Sequence, residues 1–451
     1  MHLSATPQSP DNAVSRFFDL KSHGTTIRRE VVGGVTTFAA MAYILAVNPL
    51  ILAKTGMDAG ALVTATAFSA ALMTCALALL TNYPIALAPG MGLNAFFTFT
   101  ICLQKQVPWQ AALGLVFYSG VIFFLLSVTG ARKMLVDAIP REFKLAITCG
   151  IGLFIAFIGM KNGGLVVSNP ATFVTVGNLG SAECLLVIAG IISTAIGISR
   201  KIPGSVIINI IALTSLDLLL RGICHVGDPV TLPSRPIDWP TSLAPLFLKL
   251  DFGWFWHHIA EALPLVFAIL FVDLFDNMGT LIGVCHRAGL LDEHGRLPKI
   301  GRAFTADACA AMIGSCLGTS TVTSYIESAA GVEAGGRTGL TALTTAGCFL
   351  LALFFTPLIL LIPDVATAPA LIIIGIFMLQ SAAKMDLDDF SKAAPALVAI
   401  MTMPLTFSIS EGVALGLLVY VGLQIGLGRA RTLSPVLYVL TVLFLLHYFV
   451  K

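Results

Sequence analysis

The sequence predicts an all-α polytopic membrane protein, with fourteen transmembrane segments arranged as two inverted seven-segment repeats. Three observations carry that expectation. The 451 residues are 57% hydrophobic and only 11% charged, against about 45–50% and about 25% in soluble domains. No charged residue lies between Asp58 and Lys105 or between Arg337 and Asp364, and about 20 apolar residues already span a bilayer. The basic residues also divide unevenly between alternate connections. This composition excludes a soluble enzyme, a disordered scaffold and a disulfide-stapled secreted domain. Lys plus Arg is 26 and Asp plus Glu is 24, so no basic surplus suggests nucleic acid as a partner.

In chain order, residues 1–30 are polar with no apolar core, which argues against a cleaved signal peptide. Apolar segments bounded by charge, Pro or Gly then fall near 31–52, 61–81, 84–101, 110–129, 144–160, 182–199 and 203–220. A polar stretch over 221–257, rich in Pro, separates them from a second series near 259–284, 303–317, 319–332, 338–361, 365–383, 393–410 and 412–428. Seven segments per half make the second half enter the membrane from the opposite side, as an inverted repeat requires. With a cytoplasmic N-terminus, nineteen Lys and Arg fall in inside connections and six in outside ones, as the positive-inside rule demands. The tail, Pro435–Val450, is apolar and fits a further span or an interfacial helix.

Segments 3 and 10 occupy the same place in each half, and both are short and broken. Segment 3 carries Pro84, Pro89, Gly90 and Gly92. Segment 10 opens with Gly318-Thr-Ser-Thr-Val-Thr-Ser-Tyr-Ile-Glu327 and is followed by Gly331. Paired interruptions of this kind point to a transporter's binding site, because freed backbone groups at membrane depth must line a cavity or be buried in protein. Simple helix kinks are the blander alternative.

Ionisable groups inside a membrane are costly and usually functional. Asp273 and Asp276 lie three apart on one face of segment 8, Asp307 lies in segment 9 and Glu327 in segment 10. All four are candidates for proton coupling. Each competes with a structural role as a cap or an interhelical hydrogen bond. Asp276 and Glu327 have the stronger claim to a functional role, and Thr323 is a polar candidate in broken segment 10. Phe96, Phe97 and Tyr325 could stack on a flat ring or simply pack. Other signals are weaker. The nine cysteines show no CxxC pair and read as packing residues. Gly90-Met-Gly-Leu-Asn-Ala95 mimics a dinucleotide fingerprint without its strand or its distal acid. Adjacent His257 and His258 point in different directions on a helix, which disfavours a metal site. No GKS or GKT exists to bind ATP, so uphill movement would draw on a gradient.

Four stretches, taken together and in order, carry a resemblance. They are His23-Gly-Thr-Thr, Ala88-Pro-Gly-Met-Gly-Leu-Asn-Ala-Phe-Phe97, Asp273-Leu-Phe-Asp-Asn-Met-Gly-Thr-Leu-Ile-Gly283, and Thr323-Ser-Tyr-Ile-Glu-Ser328 through Gly335-Gly-Arg-Thr-Gly-Leu-Thr341. The chain resembles the AzgA-like purine permeases of the nucleobase–cation symporter 2 family from about Phe17 to Gly428. That resemblance implies the uracil-transporter fold, with an extended strand before a half-helix in segments 3 and 10. It implies a core domain over 31–140 and 258–362 and a gate domain over 141–220 and 363–428. Residues 1–30, 221–257 and 429–451 would be the cytoplasmic N-terminus, the extracytoplasmic linker and the C-terminal tail. It places the base between the half-helices, held by acids that match Asp276 and Glu327. Asn94, Thr280 and Asp307 match further positions of note, Thr280 in a supporting role. The resemblance also implies a homodimer formed through the gate domain.

The expected function is therefore proton-coupled import of adenine, hypoxanthine or guanine across the cytoplasmic membrane, by alternating access. No cofactor is needed beyond the coupling proton. The chemistry agrees, because a neutral planar base presents ring donors and acceptors that must be paired once buried, at about 1–3 kcal/mol for each group left unpaired. A carboxylate accepts from two adjacent N–H groups, whereas a protonated carboxyl offers one donor and one acceptor. The alternative is an anion exchanger or channel on the same fold. That reading calls for a basic group or bare helix N-termini in place of two carboxylates, and no Lys or Arg lies between Arg302 and Arg337 or within segments 2 and 3.

Overall fold

A computed structural model describes residues 13–130, 140–224, 232–233, 235–291, 297–438, 441–442 and 445. Helices fall where the fourteen segments were expected. Segment 1 runs Ile27–Met41 and Ile44–Leu52, segment 2 Ala59–Thr81, segment 4 Trp109–Thr129, segment 5 Arg141–Asn162, segment 6 Ala182–Ser199 and segment 7 Ser205–Cys224. In the second half, segment 8 spans Ile259–Arg287, segment 9 Ile300–Leu317, segment 11 Gly339–Ala352 with a short continuation to Ile359, segment 12 Asp364–Leu379, segment 13 Phe390–Thr406 and segment 14 Ile409–Gly426. Among the described residues, eight helices are long and apolar enough to cross a membrane on their own. Large apolar side chains lie exposed on the outside, Leu79, Leu125, Ile192 and Ile211 each more than half so, as a lipid-facing surface permits and a water-facing one does not.

Segments 3 and 10 are broken as expected. Segment 3 is a strand, Leu87–Pro89, then one α-helical turn, Met91–Ala95, then a π-helical run, Phe96–Gln104. Segment 10 is a strand, Val322–Ser324, then a half-helix, Ser328–Glu333. The two strands pair antiparallel, with Leu87 opposite Ser324, Ala88 opposite Thr323 and Pro89 opposite Val322. Extended backbone at membrane depth needs a partner for every polar group, and neighbouring elements supply them. The Thr74 hydroxyl on segment 2 accepts from the Leu87 N–H (2.8 Å) and donates to the Leu87 carbonyl (3.1 Å). Gly90 N–H donates to the Thr321 carbonyl and Tyr325 N–H to the Ala86 carbonyl, closing the ladder at both ends.

Long-range contacts sort the connections into two ends in strict alternation. At one end, Glu30 at the start of segment 1 meets Arg337 and Thr338 before segment 11, and Arg287 after segment 8 pairs with Glu333 after segment 10. At the other, Lys54 after segment 1 meets Asn162 after segment 5 and Asp364 before segment 12. An odd number of spans between Glu30 and Arg337, or between Lys54 and Asp364, would place these groups on opposite faces. Segment 5 packs on segments 12 and 13, and segment 6 on 7 and 12. Segment 1 packs on 10 and 11, segment 2 on 9 and 11, and segment 4 on 8 and 9.

Two features went unforeseen. After segment 5 the chain forms a hairpin, Val166–Asn169 with Phe173–Val176, turned by the Asn169 side chain accepting from the N–H groups of Ala171 and Thr172. Segment 1 is interrupted at Ala42–Tyr43, about two turns before Pro49. Eight cysteines are unpaired among the described residues. Arg132, Lys133 and Arg296, counted in the charge asymmetry, and most of 435–450 lie outside the described residues.

Candidate functional site

Segment 10 sets the centre of the site. Its strand ends at Ser324 and its half-helix starts at Ser328, which leaves Glu327 at the junction, partly exposed. The Tyr43 hydroxyl, from the interruption in segment 1, donates to Glu327 Oε1 at 2.6 Å. Tyr43 has Glu327, Tyr325 and Asp276 as its ionisable neighbours, and Asp276 has Glu327 as its charged neighbour. Asp276 is also partly exposed. Thus two carboxylates from segments 8 and 10 and two phenols from segments 1 and 10 converge beside the paired strands.

The other two acids sit deeper. Asp273 is 1% exposed and Asp307 0%. Asp307 lies against Ser324, whose hydroxyl points at its Oδ1 from 3.4 Å, and it also faces Asn277. Asp273 lies beside Thr323 and has Asp307 and, beyond it, Asp276 as charged neighbours. Asp307 therefore stands to the strand of segment 10 as Thr74 stands to the strand of segment 3. The four carboxylates resolve into an accessible pair, Asp276 and Glu327, and a strand-facing pair, Asp273 and Asp307. Among the described residues, no ion pair reaches any of the four.

The remaining candidates line the junction of the two broken segments. Asn94, on the half-helix of segment 3, accepts from the Ser320 hydroxyl through Oδ1, while its buried Nδ2 has no protein partner among the described residues. Buried amide nitrogens are rarely left so, and a ligand or water is the ordinary remedy. Thr323 is buried within its strand and Thr280 is 6% exposed on segment 8. The Tyr325 hydroxyl is spent on the Pro89 carbonyl, so its ring and not its oxygen is available to a base. Phe96 and Phe97 are 0% and 1% exposed, inside packing at the start of the π-helical run, a feature frequent at functional sites. His257 and His258 each bond a backbone carbonyl one turn earlier, away from this cluster.

Tyr43 is the residue the sequence reading missed. Its signal was Pro49, which cannot donate to the Leu45 carbonyl and so loosens the turn before it. There Leu45 N–H reaches back only to the Ala42 carbonyl and Ala46 N–H to that of Tyr43, a tighter winding that turns Tyr43 inward.

Comparison with known proteins identifies the family and the fold. A family model described as Permease family matches residues 28–415. The chain is 40% identical over 445 residues to the adenine permease AdeP of Escherichia coli, covering 99% of this chain and 98% of that one. It is 43% identical over 446 residues to the guanine/hypoxanthine permease PbuG of Bacillus subtilis, covering 96% and 98%. Among solved structures, the transmembrane domain of the cyanobacterial bicarbonate transporter BicA superposes with a TM-score of 0.63 at 15% identity, covering 85% of this chain and 96% of that one. The murine anion transporter Slc26a9 gives 0.60 at 14% identity, covering 90% and 68%. At such identity the two structures speak for the fold, and it is the same strand-and-half-helix architecture in two inverted repeats. Matched along most of its length by that family model and by full-length relatives, the chain belongs to the Xan_ur_permease family of permeases.

Proposed function

We propose that the chain is a proton-coupled symporter that imports the purine nucleobases adenine, hypoxanthine and guanine across the cytoplasmic membrane by alternating access. The observation that carries this reading is Glu327, an accessible carboxylate at the break of segment 10, steered by the Tyr43 phenol and unpaired by any cation among the described residues. An acceptor of that kind suits a neutral ring with N–H groups on one edge. Full-length relatives named as adenine and as guanine/hypoxanthine permeases support the same substrate class. An anion site would present a basic group or bare helix N-termini, and the carboxylates Asp276 and Glu327 stand here instead, so the fold shared with bicarbonate and anion transporters does not favour that alternative.

In this reading Glu327 binds the base and Asp276 binds base or proton. Asn94, through its unpartnered amide, adds a donor, and Tyr325 supplies a ring face. Asp273 and Asp307 brace the strands and are reserve carriers for the proton. Segments 1–4 and 8–11 move as a core against segments 5–7 and 12–14, which also pair two copies into a dimer. The N-terminus is cytoplasmic.

The test is uptake of labelled hypoxanthine, competed by unlabelled adenine, guanine, xanthine and uracil, in proteoliposomes with and without a pH gradient. Purines are expected to compete and uracil not to. Wild-type affinity in purified Glu327→Gln would remove Glu327 as the group that binds the base. Accumulation that ignores a protonophore but follows sodium would remove the proton.

A further inference from the structure

Glu30 lies at the fourth residue of segment 1 and is 0% exposed. A buried carboxylate demands partners, and this one has five donors from a single turn of chain. Its Oε1 accepts from Arg337 N–H at 2.9 Å. Its Oε2 accepts from Thr338 N–H (3.1 Å), the Thr338 hydroxyl (2.8 Å), Thr341 N–H (3.2 Å) and the Thr341 hydroxyl (2.7 Å). These donors open segment 11, where unpaired N–H groups and the helix dipole favour an anion. The carboxylate of one helix thus caps another.

The Arg337 side chain turns the other way. Its Nη1 donates to the Val332 and Gly336 carbonyls, closing the last turn of the half-helix whose first turn follows Glu327. That half-helix also lies backbone to backbone on segment 1. A Cβ on Gly331 would fall inside contact distance of Thr37 Oγ1 and 2.5 Å from the Gly33 carbonyl, and one on Gly33 would meet the Gly331 carbonyl at 2.9 Å. Thirteen residues on from Glu30, about 20 Å by helix rise, the same segment 1 presents Tyr43 to Glu327.

We propose that Glu30 is a positioning residue for Glu327, the carboxylate that meets the base. It pins the remote end of half-helix 10 to segment 1, so that Tyr43 and Glu327 at the other end stay in hydrogen-bond register. Segment 1 therefore grips the half-helix at two points, with close-packed glycines between them, and a slip at the first point is felt at the second. The inference rests on the site reading above, since it takes Glu327 as the group that meets the base.

Two readouts test it. In the purified full-length protein, Glu30→Gln puts an NH2 group where a donor must be accepted. Hydrogen exchange across 328–341 should then quicken, with no substrate present. Hypoxanthine Kd should rise about five- to tenfold. In a Tyr43→Phe background the same change should add less than about twofold, because the register it protects is already lost; independent sites would instead multiply. Unchanged exchange over 328–341, or an equal factor in both backgrounds, overturns the proposal. If Glu30→Gln does not fold, Thr341→Val removes one donor and is read by the same measurements. A wild-type protein that binds no purine overturns the proposed substrate instead, and leaves the exchange result standing for the grip.

Discussion

A carboxylate inside a membrane must be neutralised, paired or hydrogen-bonded, and Glu327 meets that demand through a phenol, with no cation in reach among the described residues. A hydrogen bond to a charged group contributes roughly 1.5–3 kcal/mol, which is about ten- to a hundredfold in affinity. Tyr43→Phe is therefore expected to raise the KM for base uptake by at least about tenfold with normal membrane insertion; an unchanged KM would reduce the contact to packing. Asp276→Asn should leave binding or exchange measurable but stop accumulation against a gradient. A variant that accumulates like wild type would make Asp276 structural and pass the coupling role to Asp273 or Asp307. The sequence exposed all four acids, because charge stands out in an apolar run. It could not divide them into accessible and strand-facing pairs, since Asp273 and Asp276 differ only in which neighbour the folded segment 8 offers each. Pro49 marks the loosened turn near Tyr43, but nothing local names its partner, which lies 284 positions away.

At the scale of elements, prolines, glycines and charges fix where helices stop, and they stand in plain view in segments 3 and 10. What satisfies the exposed backbone is non-local. Thr74 on segment 2 serves one strand and Asp307 on segment 9 lies against the other, and nothing near those strands in sequence announces either. The hairpin after segment 5 has turn residues but no apolar alternation to distinguish it from a loop. Glycine placement gives a test of element packing. Gly331 has no room for a methyl group, whereas a methyl group on Gly347, within segment 11, would meet nothing within 4 Å. Gly331→Ala should lower the melting temperature in detergent and cut uptake. Gly347→Ala should be neutral or stabilise by about 0.5–1 kcal/mol, the helix-propensity gain. Equal effects from the two would mean that half-helix 10 and segment 1 are not in close contact.

For the whole molecule, the end that gathers Lys54, Lys161 and Asp364 is closed. Lys54 pairs with Asp364 at 3.6 Å and donates to Asn162 at 3.3 Å. The Thr100 hydroxyl on segment 3 donates to the Phe407 carbonyl at 2.8 Å. Phe407 sits at the join of segments 13 and 14 with φ 53°, a backbone costly for a bulky residue. Its ring is covered by Phe99, Phe154 and Phe157, with Lys161 4.8 Å above it. Every one of these contacts except those within segments 5 and 13–14 joins segment 1 or 3 to segment 5, 12 or 13, across the division along which alternating access would move. If that movement occurs, these contacts must part once per cycle. The Lys54–Asp364 pair is weak, since exposed ion pairs contribute about 0–1 kcal/mol, which suits a closure that has to reopen. With the nine native cysteines replaced by Ala or Ser, Lys54→Cys with Asp364→Cys, joined by a short reducible bismaleimide-type linker, should stop net uptake, and reduction should restore it. Each single-cysteine variant treated alike should keep its activity, because losing one exposed pair costs little. Full uptake in the linked double variant would show that this end stays shut throughout, and that the base enters and leaves by another route.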